Sequence, residues 1–560
     1  MKTGKSAWWK EGIIYEVYVK SFYDSNVDGI GDFKGLQMKL PYLKEIGVSI
    51  IWLTPIFHSP DVDHGYDVSN YRDTNPNFGS LDAFLSVVDE AHRLRMRVVL
   101  DMVLNHTSDQ HPWFTESRSS RDNAKRDWYI WKRPVNGKPP NNWKACFGGP
   151  AWSFDENTGE YYLHLFTPGQ PDLNWKNPYV KKEIFSILKY WLEHGIDGFR
   201  FDVINLLLKD NFIDIDENNT DFFQQEAPYI NADGMHTLLR EMNDKVFSLF
   251  DCFTFGEVPG TNNLQALSYT DNSDKLDSVI HYDHAWLDIN KSLWIKRDFD
   301  FIEYKRIISL WYETIQLGGW VCQYLSSHDL PRTVSHYGND EEYHELSSKS
   351  LIGHLLTLPG TPIVYQGEEI GMRNSRFTSI DDYRDVETIN YYRNEVASGK
   401  TVESILEKLW KISRDNARTP MHWSSEDNGG FTSGIPWIPC NSDFSFINVD
   451  DQQNDPNSIL SFFKCMNKFR THNYNLLVYG DFELLYKEHP SLFCYLRKNN
   501  DLCWYVIMNV SSMPIPNNQY LEVYNAVKNC DHVVSNYSSK PLTSTELLPW
   551  EFSIYQSTRI

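Results

Sequence analysis

A chain of 560 residues with 41% apolar content can bury large cores, and its length suits roughly two to four domains, one of them a large barrel. Its formal net charge of −22, with no offsetting Lys/Arg block, excludes phosphate-rich and anionic surfaces, so neither nucleic acid nor membrane is expected as a partner. The eight cysteines, at 146, 252, 322, 440, 465, 494, 503 and 530, have no metal spacing and no dense framework. Met1 to Ser6 carry no apolar signal core and no apolar run is of membrane-spanning length, so free thiols in a cytoplasmic monomer are expected.

Residues 12–19 have strand composition and run into the turn-rich Asp24-Ser25-Asn26-Val27-Asp28-Gly29-Ile30-Gly31-Asp32. Acids and an amide at alternate positions converge if such a loop is tight. Asp24, Asn26, Asp28, Asp32 and the Ile30 carbonyl then suit a structural Ca²⁺, and no organic cofactor is called for. The rival reading is a solvated turn with Asx caps; the loop is not a complete EF-hand, since Gly35 stands where its last Glu belongs.

An amphipathic helix leads to an apolar strand at 49–55 and a second helix to another at 97–106. Strands apolar on both faces that alternate with helices predict a parallel sheet covered on each side. Over 107–174 Gly, Pro, Asn and aromatics dominate, which reads as an inserted subdomain. A helix predicted over 179–194 puts Val180, Ile184, Ile187, Leu188, Trp191 and Leu192 on one stripe. It delivers the chain to Gly198-Phe199-Arg200-Phe201-Asp202-Val203-Ile204-Asn205, and strands predicted at 252–258, 278–283, 320–329 and 361–369 complete a set of eight. Beyond about 480, short apolar runs alternate with turns. The expected architecture is an α/β fold: a (β/α)8 TIM barrel over 1–106 and 175–480, an inserted subdomain over 107–174 after strand 3, and a C-terminal antiparallel β-sandwich over 481–560.

Strand alternation sets Arg200 and Asp202 on one face, where the guanidinium can hold the carboxylate ionised and pointed. Glu257 follows the apolar Phe253-Thr254-Phe255 with only Gly256 between, so desolvation can raise its pKa toward ~6, as a general acid requires. A third acid, Asp329, is joined to His328. One carboxylate kept ionised and one kept protonated is the pair a glycosidase needs, although strand-end acids also serve metals in other barrels.

The runs Asp101-Met102-Val103-Leu104-Asn105-His106, Gly198-Phe199-Arg200-Phe201-Asp202, Gly256-Glu257 and Ser327-His328-Asp329 resemble the four ordered signature regions of the alpha-amylase family, glycoside hydrolase family 13. Trp8-Trp9-Lys10, Asp63-His64-Gly65-Tyr66-Asp67, Gln170-Pro171-Asp172, Gln366-Gly367-Glu368-Glu369 and Arg414-Asp415-Asn416-Ala417-Arg418 resemble its oligo-1,6-glucosidase branch. The resemblance implies a retaining mechanism with Asp202 as nucleophile, Glu257 as acid/base and Asp329 as transition-state stabiliser. It also implies a glucose subsite lined by Asp63, Tyr66, His106, Arg200, His328 and Arg418, with Phe147, Phe166 and Gln170 near it. Pairing of Asp63 with Arg418 is expected to close the far end of the pocket and make the enzyme exo-acting.

Val203 resembles the residue that members acting on α-1,6 bonds carry after the nucleophile, and a short α-1,6-glucoside such as isomaltose or isomaltulose is the implied substrate. Leu330 stands where relatives carry Gln or Asn, so contacts beside Asp329 are expected to differ. Trp286-Leu287-Asp288-Ile289-Asn290 replaces the charged loop of sucrose isomerases, which disfavours isomerisation. Trehalose-6-phosphate hydrolysis needs a cationic pocket that the sequence does not locate. A catalytically silent transporter subunit is disfavoured because all three acids are present and no span is.

Overall fold

Eight short runs, β1 (Ile14–Val17), β2 (Ile50–Leu53), β3 (Arg97–Val103), β4 (Gly198–Asp202), β5 (Phe253–Glu257), β6 (Ser278–Ile280), β7 (Cys322–Gln323) and β8 (Thr361–Tyr365), pair in parallel in the order β6-β5-β4-β3-β2-β1-β8-β7. A parallel bridge between Val279 and Val321 joins the two end strands, so the sheet closes into a barrel with no free edge. This computed structural model describes residues 8–216, 222–223, 227–290, 294–537 and 546–557; the first six residues, read above for a signal core, lie outside them.

Both faces of these strands are buried, which is why they read as near-continuous apolar runs. The helix Pro178–Glu193 opens on Asn177, whose side chain accepts from the Tyr179 amide, and Pro178 occupies the first turn, where a missing N–H costs nothing. Its predicted stripe is buried in full.

Strand register then sets the chemistry. On β3 and β4, Asp101 stands opposite Arg200 and Val103 opposite Asp202, while Phe255 on β5 flanks Arg200 from the other side.

Between β3 and Pro178 the chain forms a three-stranded antiparallel sheet (Trp131–Lys132, Glu160–Leu163, Trp152–Asp155), tied to the barrel top by the bridge His106 to Asp172 and by Leu173 N to the Asn105 carbonyl, 3.0 Å. Past residue 480 a five-stranded antiparallel sheet follows, Asp481–Leu485, Leu492–Lys498, Cys503–Asn509, Phe552–Ser557 and Asp531–Ser535 in spatial order. One of its faces is closed by the ribbon Ile515–Pro516 with Glu546–Leu547 and by the helix Leu521–Val527. That helix departs from the all-β expectation: Val523 and Val527, one turn apart, bury against Leu492 and Cys494. Lys305, on a barrel helix, locks the two domains by donating to the carbonyls of Tyr486 (2.9 Å), His489 (2.6 Å) and Leu492 (3.1 Å). Among the described residues no helix is long and apolar enough to cross a membrane.

Candidate active site

At the C-terminal mouth of the barrel, β4 ends on Asp202 and the next residue turns sharply: Val203 has φ 35° and ψ 48°. A β-branched residue in the left-handed region costs about 1–3 kcal/mol and persists only where packing over-determines it. The turn aims the Val203 N–H at the Glu257 Oε2, 3.4 Å away, so the end of β4 is tied to the end of β5.

Arg200, fully buried, is the hub of this end. Its Nη1 donates to Asp101 (2.7 and 2.9 Å) and to Asp202 Oδ1 (3.1 Å), and its Nη2 contacts Glu257 Oε1, which also accepts from the Tyr282 hydroxyl. The expectation that Arg200 alone would keep Asp202 ionised is corrected. Burial drives the Asp202 carboxyl well above its ordinary range; Arg200 opposes this, while Glu257, Asp101 and Asp329 add to it. Burial likewise lifts Asp101 to about 6 against Arg200. One guanidinium is divided among three carboxylates, so Arg200 cannot by itself balance the charge of all three when they are ionised.

Asp329 does not sit at a strand end as expected. β7 stops at Gln323, and Asp329 rides on a loop whose turn is closed by Leu330 N to Ser327 O, 3.2 Å. Arg418 Nη2 (2.9 Å) and Arg414 Nη1 (3.2 Å) hold its Oδ1. His328 beside it is fixed between Glu16 (Nδ1 to Oε1, 2.5 Å) and the Tyr66 hydroxyl (Nε2, 2.7 Å). Burial works against the imidazolium, but Asp329 and Glu16 outweigh it and raise the His328 pKa.

The far end is a second net of charges. Asp63 accepts from Gln170 (3.0 Å) and pairs with Arg414 (3.3 Å), whose Nη2 also grips Asp385 at 2.6 Å. The anticipated Asp63 to Arg418 pair is replaced: Arg418 lies one helical turn further and serves Asp329 and Asp385 (3.6 Å). Burial raises Asp63 to about 6 despite both arginines, and burial lowers His106 to about 3, leaving it neutral with Nε2 3.0 Å from the Tyr66 carbonyl oxygen. Burial also disfavours an ionised Asp385, but Arg414 and Arg418 overcome it and hold that carboxyl below its usual range.

These groups face a pocket lined by Asp63, Tyr66, His106, Phe147, Phe166, Asp202, Val203, Glu257, Asp329 and Arg414, with Cys146, Phe223, Pro259, Tyr282 and Trp286. Convergent polar groups at one end and apolar side chains at the other suit a small organic ligand. Of the residues expected to line it, Arg200, His328, Arg418 and Gln170 stand behind the wall and hold the lining side chains in place. Phe147 lies 4.6 Å from the Arg414 guanidinium and the Phe166 ring 5.1 Å from His106, so both belong to the polar end. Leu330 is fully buried in an apolar cluster that also holds Tyr282 and Trp52, and it does not line the pocket.

Residues 16–480 match the alpha amylase catalytic domain family. An oligo-1,6-glucosidase of Parageobacillus thermoglucosidasius is 42% identical over 98% of this chain and 99% of its own length. The chain is a glycoside hydrolase of the alpha-amylase family, in its oligo-1,6-glucosidase branch. Among solved members of that family, the trehalose-6-phosphate hydrolase of Bacillus licheniformis superposes with TM-score 0.90 at 39% identity, over 98% of this chain and all of its own. The isomaltulose synthase of Klebsiella sp. LX3 does so with TM-score 0.93 at 35% identity, over 99% of this chain and all of its own.

Several contributors to this glycosidase site were not singled out from sequence. Asp101 and Arg414 lie inside quoted motifs, but their partners are set by strand register and by which side of one helical turn faces Asp63. Asp385 and Tyr282 sit on loops remote in sequence from what they touch.

The 24–32 loop is a ladder of Asx turns. Asp24 accepts from the amides of Asn26, Val27 and Gly29, Asn26 from Asp28, and Asp28 from Ile30; Asp32 caps the following helix at Gly35 N. Among the described residues no three His, Cys, Asp or Glu side chains converge as a metal shell. Asp24 Oδ1 accepts from two amides, Asp24 Oδ2 from Gly29 N and Thr432 Oγ1, and Asp32 Oδ1 from Ser25 Oγ and Gly35 N, so these oxygens would give up protein hydrogen bonds to hold Ca²⁺, whereas both Asp28 oxygens and Asp32 Oδ2 keep a lone pair for it.

Proposed function

We propose that this enzyme is a retaining, exo-acting α-glucosidase that releases glucose from short α-1,6-linked glucosides: isomaltose, isomalto-oligosaccharides and isomaltulose. One observation carries the reading: Asp202 and Glu257 share the Arg200 guanidinium at the centre of a pocket whose far end is filled by the Asp63, Arg414 and Asp385 net. A terminal glucose fits such a closed end and a chain interior does not.

The two roles require Asp202 ionised and Glu257 protonated, and both carboxyls lie within reach of the Arg200 guanidinium that orients them. Asp202 then bonds to the anomeric carbon as the glycosidic C–O bond breaks, and Glu257 gives its proton to the departing oxygen. Water attacks the glucosyl ester, Glu257 takes its proton back, and Asp202 leaves. Two inversions retain the α configuration. Asp329, gripped by Arg414 and Arg418, stands where an acid can stabilise the positive charge that develops on the sugar.

Trehalose-6-phosphate is the weaker substrate because Arg414 is the sole cation among the described lining residues, and Asp63, Asp329 and Asp385 already neutralise it. The same reading takes a small oligosaccharide or disaccharide as partner, a monomer, a structural Ca²⁺ in the 24–32 loop, and a cytoplasmic location. The free thiols Cys322, Cys440, Cys465, Cys494, Cys503 and Cys530 support the last. Initial rates on isomaltose, isomaltulose, maltose, sucrose and trehalose-6-phosphate test it: isomaltose or isomaltulose leads if it holds, and trehalose-6-phosphate in the lead overturns it.

A further inference from the structure

The pocket has two chemically opposed ends. Asp63, His106, Asp329 and Arg414 make one; at the other, Val203, Phe223, Pro259, Tyr282 and Trp286 gather beside Glu257. Trp286 stacks on Tyr282 with ring centroids 4.3 Å apart and planes at 18°, and on Phe223 at 5.2 Å and 17°. The Tyr282 hydroxyl is committed to Glu257 Oε1, so these five side chains offer no carboxylate, amide or cation to a ligand. Because Glu257 protonates the departing oxygen, the leaving group lies on its side of the pocket, against this wall.

We propose that Trp286, at the centre of the Tyr282-Trp286-Phe223 stack, is a specificity-determining residue that selects α-glucosides with a flat, apolar, aromatic aglycone. The proposal rests on the α-glucosidase reading above and names a further substrate class for the same site. A sugar aglycone can lay a C–H face on this wall while its hydroxyls stay in water, whereas an aromatic ring buries its whole face and adds ring-to-ring contact. The chemistry is otherwise unchanged. The bond from the anomeric carbon to the aglycone oxygen breaks, Glu257 supplies the proton that makes the free alcohol, and water completes glucose.

The test compares benzyl, methyl and isomaltosyl substrates. Benzyl alcohol is about as poor a leaving group as a sugar hydroxyl, so a benzyl advantage reports recognition and not activation. In wild type, kcat/KM for benzyl α-glucoside is expected to exceed that for methyl α-glucoside by about tenfold or more. Trp286→Ala should collapse that ratio by about tenfold, and Trp286→Phe should keep most of it, which separates lost stacking from a damaged fold. A benzyl-to-methyl ratio near one in wild type, or one that Trp286→Ala leaves unchanged, overturns the proposal while isomaltose hydrolysis continues. Failure to release glucose from all three overturns the α-glucosidase reading itself.

Discussion

Glu368, just past β8, has a buried carboxyl whose Oε1 accepts from Thr333 Oγ1 (2.7 Å) and Oε2 from the Tyr365 amide (3.1 Å). Burial raises its pKa from the ordinary 4.5 to about 7, Glu369 adds to the effect, and the two hydrogen bonds and Arg332 oppose it. The folded state therefore binds this proton more tightly than the unfolded chain. The stabilisation is complete below pH 4.5 and is lost as pH rises through 7. At 1.36 kcal/mol per pKa unit the loss by pH 8.5 is about 3 kcal/mol. A chain of this length unfolds with an entropy of about 1.2 kcal/mol/K, so the loss corresponds to about 3 °C in Tm. Glu368→Gln cannot ionise, and its amide can accept from Tyr365 N and donate to Thr333. Calorimetry at one scan rate should find variant and wild type melting together at pH 4.5 and the variant about 3 °C higher at pH 8.5. A Tm difference independent of pH, or a variant less stable at pH 8.5, refutes the reasoning.

Asp202→Asn should lower kcat by several orders of magnitude while substrate still binds, and retention of a tenth of wild-type kcat removes Asp202 from the nucleophile role. Val203→Thr keeps the β-branched shape at the strained turn but places a hydroxyl beside the reacting centre; the isomaltose-to-maltose ratio of kcat/KM should shift toward maltose by about tenfold, and an unmoved ratio reduces Val203 to packing. If Ca²⁺ occupies the 24–32 loop, chelation should lower Tm with turnover at low temperature unchanged, because a ligand of the native state alone stabilises it by mass action; identical melting curves, with no metal by elemental analysis, sink that site.

The barrel was legible because strands buried on both faces read as apolar runs of a length that helices do not share, and because helix stripes such as Val180, Ile184, Leu188 and Trp191 repeat at the right period. Asp202 and Glu257 were legible because strand-end carboxylates have little structural use, whereas Asp329, on a loop past its strand, was legible only through its Ser327-His328-Asp329 run. What stayed hidden depends on register and distant loops. Arg414 and Arg418 are one helical turn apart, and nothing local says which meets Asp63. Asp101 meets Arg200 only because β3 and β4 are neighbours with Asp101 opposite it. Whether one arginine suffices to ionise Asp202 depends on how many carboxylates it must serve, and the structure brings it three. The Tyr282-Trp286-Phe223 wall joins residues from two loops that the sequence separates by about sixty positions, with no motif to connect them. The helix Leu521–Val527 is two turns long, too short for its period to stand out among strands.

The central claim is that Asp202 and Glu257 carry out a double displacement on an α-1,6-linked terminal glucose. Proton NMR of isomaltose hydrolysis, begun with enough enzyme to outrun mutarotation, reads it directly. The account predicts that the α anomer of glucose from the non-reducing end appears first, and faster than from maltose at equal concentration. First appearance of the β anomer, or faster release from maltose, contradicts it.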